Sequence, residues 1–143
     1  MYLMDKGAPG QKSTVPAFGP QADLCRITMC CVCHAIEVIR AHSSAWDPYV
    51  MKDYDWAKLP TLAEGANGEQ VIDPHHEPRR GTALRSDDSD TIPVCRTHHT
   101  GTWTRRRHTP LYDRAPELFW EFFGIDWVAV RDEMRRRVAL NAG

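Results

Sequence analysis

A chain of 143 residues with a formal net charge of −1 has room for one domain with a modest core, and its total charge argues neither for nor against a nucleic-acid partner. No apolar run approaches the roughly 20 residues that span a bilayer. Met1 to Gln21 carries Gly, Pro, Lys and Ser where a secretory leader would be continuously apolar, so the expectation is no membrane contact, a cytoplasmic location and reduced thiols. The five cysteines are then better explained by a structural metal than by disulfides.

Residues 1 to about 22 lack apolar periodicity and are expected to form a flexible arm. Leu24 to Cys33 brings together Cys25, Cys30, Cys31 and Cys33, of which Cys30 and Cys33 have the Cys-x-x-Cys spacing of the first half of a zinc knuckle. Cys25 and Cys31 are expected to be small buried residues or spare thiols. Ala35 to Ala41 reads as a short apolar element followed by His42, which either joins a metal or caps and faces solvent. A stretch from about 43 to 70, with Trp46, Tyr49, Tyr54 and Trp56 among acidic residues and a Gly-rich close, looks like an inserted loop or lid whose aromatics pack.

Val71-Ile72 begins a predicted strand and Thr91-Ile92-Pro93-Val94 a second, joined by a wide hairpin through Pro-Arg-Arg-Gly and Ser-Asp-Asp-Ser. Four of the seven histidines fall in this stretch as two adjacent pairs, His75-His76 and His98-His99. A helix from Cys95 would carry His98 and His99 in its first turn and the run Arg105-Arg106-Arg107 beyond, before Pro110 stops it. Cys30, Cys33, Cys95 and His98 then supply the four soft ligands of a tetrahedral structural zinc. Asp73, two before His75, alternates onto the same strand face and is a candidate further ligand or a partner for a histidine. Arg79, Arg80, Arg85 and Arg96, with Arg105, Arg106 and Arg107, make a local basic patch suited to phosphates. Ala115 to Ala142 is expected to form two helices broken at Gly124, with Asp126 as the second N-cap, Leu118, Phe119, Phe122, Trp127, Val130 and Met134 in the core, and Arg131, Arg135, Arg136 and Arg137 outside.

A hairpin followed by a helix, with a histidine pair on the first strand and a ligand histidine on the helix, resembles the HNH, or ββα-metal finger, nucleases over about Cys30 to Arg107. Asp73-Pro74-His75-His76, Arg80-Gly81, Ser86-Asp87-Asp88, Ile92 to His99 and the tail Phe119 to Asp126 look more specifically like the Ref family of phage-encoded, RecA-dependent HNH nucleases. The resemblance implies an α+β fold: an arm over 1–22, a zinc-stabilised nuclease finger over 23–109, and a helical extension over 110–143. It also implies that His75 and His99 hold a catalytic divalent metal such as Mg²⁺, that His76 is the general base, and that DNA is the substrate, with a recombinase filament as a second partner. Arg79, Arg80 and Arg105 to Arg107 would contact the phosphate backbone. The central Asn of the pattern is replaced here by Asp90, nine before His99, with Asp88 as a competing alignment.

Other readings stay open at this point. A non-catalytic zinc module that binds DNA or protein uses only Cys30, Cys33, Cys95 and His98, and has no use for His75, His76 and His99. A degenerate finger kept as a scaffold is a second alternative. Restriction, homing and junction-resolving nucleases share the same chemistry.

Overall fold

In a computed structural model of the chain, the residues described are 19–64, 71–77, 87–100, 112 and 116–142. They form five helices and a two-stranded sheet: α1 (Pro20–Arg26), α2 (Cys31–His42), β1 (Ile72–His76), β2 (Thr91–Cys95), α3 (Arg96–Thr100), α4 (Pro116–Phe123) and α5 (Trp127–Ala142). The order β1, β2, α3 is the strand, strand, helix order expected of the histidine-bearing stretch. Arg79, Arg80, Arg105, Arg106 and Arg107, and most of the predicted wide hairpin, lie outside the described residues.

The two strands run antiparallel, with Ile72 opposite Cys95 and His76 opposite Thr91. Pro74 faces Pro93, which an antiparallel ladder tolerates at a pair that exchanges no hydrogen bonds. Alternation puts Asp73, His75 and Glu77 on one face and Ile72, Pro74 and His76 on the other. Glu77 N donates to Asp90 O and Arg96 N to Val71 O, both at 3.0 Å, so the pairing continues past each strand end.

The helix α1 begins inside the span expected to be an arm. Pro20 starts it, and the Asp88 carboxylate caps it from across the sheet, accepting from Gln21 N and Ala22 N at 2.8 Å each. Gly19 sits at φ 134°, and a Cβ there would overlap that carboxylate, so glycine is required. Gln21, only 2% exposed, donates its side-chain amide to Ser89 O at 3.0 Å and Thr91 O at 2.8 Å. This helix thereby holds the turn that leads into β2.

Ala35 to Ala41 belongs to the longer helix α2, which buries Cys31, Val32, Ala35, Ile36 and Ile39 along one stripe. The stretch expected to be an inserted loop or lid is mostly exposed over its described residues, Tyr49 at 71% included, but anchors itself to the core at three points. Met51, Trp56 and Leu59 are buried, Met29 N donates to Pro60 O, and Leu62 N donates to Ile27 O. Its spacing gave no helical or strand period because it folds as two short 3₁₀ turns, Pro48–Met51 and Trp56–Lys58, capped by Asp47 and Asp55.

The C-terminal pair breaks at Gly124 (φ 67°), where a Cβ would meet Pro48 O, and Asp126 Oδ1 accepts from Val128 N at 3.1 Å to start α5. Phe119, Val130 and Met134 are buried as expected, but Leu118 is 61% exposed and Phe123 takes the core position. The arginines of α5 are not simply an outer face. Arg135 donates to Ser89 O and Asp90 Oδ1, while Arg137 pairs with Glu133 and donates to the carbonyls of Trp56, Ala57 and Leu59. Long arginine stems cover apolar surface while their heads cap loop carbonyls, a role that charge periodicity does not reveal.

Replacing Gln21 with Ala removes two buried hydrogen bonds at once and should destabilise the fold by about 2 kcal/mol. Urea unfolding followed by tryptophan fluorescence will read this as a lower midpoint at unchanged slope. An unshifted midpoint would show that α1 is dispensable.

Candidate metal centres

The first cluster joins α2, β2 and α3. Cys30 is the N-cap of α2, its Sγ accepting from Cys33 N at 3.4 Å, and Cys33 follows one turn in. Cys95 closes β2 and His98 lies three residues on in α3. The ligand atoms of Cys30, Cys33, Cys95 and His98 all lie within 4.8 Å of one another, and all four residues are buried. Cys33 Sγ stands 3.8 Å from Cys95 Sγ and 3.6 Å from His98 Nδ1, and Cys95 Sγ is 3.2 Å from His98 Nδ1. Metal–sulfur bonds of about 2.3 Å and metal–nitrogen bonds of about 2.0 Å in a tetrahedron give roughly 3.8 Å between sulfurs and roughly 3.5 Å from sulfur to nitrogen. The cluster can hold a metal ion such as zinc.

Its charge state points the same way. Burial pushes the Cys30 thiol well up, and its contacts with Cys33 and Cys95 add to the rise. Cys95 is driven far down, because Cys30, Cys33 and His98 all stabilise its thiolate against burial. Thiolates are costly in so dry a place, and a bound dication would be what stabilises several of them together. Cys25 and Cys31 stay outside it, buried, the first pushed up to about 12 and the second also raised by burial. His42 is exposed at the end of α2 and lies outside this cluster of described residues.

The second cluster lies on the face of β1 that α3 covers. His98 and His99 are adjacent in the helix, so their side chains diverge by about 100°. One enters the cysteine cluster while the other reaches β1. His75 Nδ1 lies 3.3 Å from His99 Nε2. On the far side of each ring stands a carboxylate: Glu77 Oε1 is 2.9 Å from His75 Nε2, and Asp73 Oδ2 is 3.2 Å from His99 Nδ1. A carboxylate accepts only, so each of those nitrogens carries the proton. With both rings neutral, the facing nitrogens His75 Nδ1 and His99 Nε2 each present a lone pair; with a second proton on His99, Nε2 donates to His75 Nδ1.

Two lone pairs pointed at each other are repulsive unless a proton or a cation lies between them. Nitrogens each about 2.0 to 2.1 Å from a shared ion stand roughly 2.9 to 3.4 Å apart at octahedral to tetrahedral angles, and the observed 3.3 Å falls in that interval. A proton on His75 itself is disfavoured. His75 is 5% exposed, and burial first, with the neighbouring His99 adding to it, holds its pKa below the ordinary value despite Glu77. Its contact with Glu77 is therefore a hydrogen bond from a neutral ring, not an ion pair. Asp73 resolves to a partner of His99 in this arrangement, not a third donor aimed between the rings, and Arg96 holds its other oxygen at 2.9 Å. Burial would raise Asp73, but His99 and Arg96 overcome it and keep the carboxyl ionised.

No protein-family model, curated protein or solved structure matches the chain.

His76 is half-buried on the opposite strand face, next to the turn Asp88–Asp90. Burial lowers its pKa, with Asp90 and then Asp88 pulling the other way. Asp90 does not bond His76. Its carboxylate accepts from Asp87 N at 3.4 Å and Arg135 Nη2 at 2.9 Å, so it braces the turn beside the histidine. Glu77, which sequence reasoning passed over, has the clearest structural claim of the residues newly brought to the site. The alternation that singled out Asp73 would have found it, because Asp73, His75 and Glu77 are spaced by two.

Two outcomes are expected. The purified chain will carry about one tightly held zinc per molecule, and Cys95→Ala or His98→Ala will lose both the zinc and the cooperative unfolding transition, since such metal binding contributes on the order of 10 kcal/mol to small domains. Metal analysis alongside circular dichroism checks both. The pH dependence follows from His34, His75 and His76, all lowered chiefly by burial. The unfolded chain protonates at about 6.5, before the folded one does, so stability without added divalent cation should be full above that pH and decline below it. Thermal scans between pH 7.5 and 5.5 will show the midpoint falling, and a flat profile would mean the rings are not buried as neutral species.

Proposed function

We propose that this chain is a metal-dependent nuclease of the ββα-metal finger type that hydrolyses DNA phosphodiester bonds, with zinc as a structural ion. The observation that carries the reading is the 3.3 Å approach of His75 Nδ1 to His99 Nε2 with a carboxylate behind each ring. A purely architectural zinc module has no need of such a pair. That the substrate is DNA comes from the sequence resemblance; the Arg96 guanidinium, exposed on its outer side, pairs with Asp73 beside the two histidines.

A divalent cation held by His75 and His99 would supply positive charge against the phosphate oxygens, where negative charge grows during hydrolysis. The chain's own residues do the rest. Asp73 keeps the proton of His99 on Nδ1 and so leaves Nε2 free to ligate. His76, kept neutral near pH 7 by its lowered pKa, takes a proton from the attacking water. His75 and His76 alternate onto opposite faces of β1, with His76 at the strand end beside the turn Asp88–Asp90. Asp90, in place of an asparagine, holds the turn beside His76 through Arg135 and the Asp87 amide. The zinc cluster acts through rigidity, since fixing His98 fixes the helix that presents His99.

A nicking assay on supercoiled plasmid and on single-stranded DNA, with Mg²⁺ and Mn²⁺ in turn, tests the reading. His76→Ala should cut the rate by about 10²- to 10⁴-fold while zinc content and the unfolding midpoint stay unchanged. A wild-type protein that binds DNA but cleaves neither substrate with either ion would favour the non-catalytic zinc module.

A further inference from the structure

The face of β1 that carries Asp73 and His75 carries Glu77 at the same spacing. We propose that Glu77 is a positioning residue: held by Tyr112 and Trp120, its carboxylate fixes the His75 ring with Nδ1 turned toward His99. This rests on the two-histidine cation site proposed above.

Glu77 is 7% exposed and both of its oxygens are engaged. Oε1 lies 2.9 Å from His75 Nε2 and accepts from the Tyr112 hydroxyl at 2.8 Å, and Oε2 accepts from Trp120 Nε1 at 3.0 Å. Three donors on two oxygens leave the carboxylate one orientation, and that orientation sets the ring it holds. Tyr112 also packs edge-on against His75, with ring centroids 4.2 Å apart, which blocks rotation of the imidazole. Only an acceptor-only group meets all three donors, because an amide would turn an N–H toward one of them. The result is a pair of matched units, Glu77 with His75 and Asp73 with His99, whose free nitrogens meet.

The arrangement gives α4 a part in the site. Trp120 sits on a helix whose other inward residues, Phe119 and Phe123, are fully buried, so the tail is the wall that keeps Glu77 in place. A carboxylate behind a ligand imidazole raises its basicity and fixes its tautomer, and losing such a partner typically weakens metal binding about 10- to 100-fold. Glu77 touches neither the cation nor the phosphate in this scheme.

The test is Mn²⁺ affinity, measured on the zinc-loaded full-length protein by electron paramagnetic resonance of free Mn²⁺, for wild type, Glu77→Gln and Tyr112→Phe. Glu77→Gln should weaken Mn²⁺ binding about 10- to 100-fold with zinc content retained, and its nicking should recover as Mn²⁺ is raised, which a merely damaged fold would not show. Tyr112→Phe, which frees one side of Oε1, should weaken binding less. If Glu77→Gln fails to fold, the Tyr112→Phe result decides. Wild-type Mn²⁺ affinity in a folded Glu77→Gln, or in Tyr112→Phe when that variant decides, overturns the proposal. A wild type that binds Mn²⁺ but cleaves nothing would overturn the nuclease reading, and Glu77 would still be judged by its effect on Mn²⁺ affinity.

Discussion

Four buried donors from distant parts of the chain meet at one point, and the architecture follows from what that point demands. Cys30 and Cys33 come from the start of α2, Cys95 from the end of β2, and His98 from α3. Burial alone would keep most of these thiols protonated, and a protonated cluster binds its members weakly. A dication changes the sign of that balance, since thiolates that are costly in a dry interior become its ligands. The same point settles where β2 ends and how α3 leaves it.

That constraint is passed to the second cluster through a single peptide bond. His98 and His99 are neighbours on a helix of five residues, too short to be stable by itself. Pinning His98 pins its neighbour, and His99 arrives at β1 already oriented. On the strand side, alternation does the equivalent work by lining Asp73, His75 and Glu77 along one face. Each imidazole is held from behind by a carboxylate, which turns His75 Nδ1 and His99 Nε2 toward each other. The arrangement is rigid because each carboxylate is held in turn, Asp73 by Arg96 and Glu77 by Tyr112 and Trp120.

The outer elements serve the turn before β2. Asp88 caps α1, Gln21 of α1 bonds the carbonyls of Ser89 and Thr91, and Arg135 of α5 bonds Ser89 and Asp90. In sequence, Asp87, Asp88 and Asp90 read as a solvated turn. In the fold two of them are spent on caps and braces, and His76 stands beside the result. The segment over 43–64 contributes Met51, Trp56 and Leu59 to the core.

The sequence by itself determined what depends on short spacing and on residue chemistry. Cys-x-x-Cys, Cys-x-x-His, the two histidine pairs and the Gly124–Asp126 break all act within a turn or two of backbone, so their consequences can be read locally. Placing Asp73 beside His75 needed only the two-residue period of a strand. Tertiary structure decided the rest, because the partners are far apart along the chain. Nothing local says that Glu77 meets Tyr112 and Trp120, that Arg135 reaches Asp90, that Pro20 opens a buried helix, or that Asp73 serves His99 from behind. Those pairings join segments far apart in the chain, and a long-range contact leaves no periodic trace in the segments that make it.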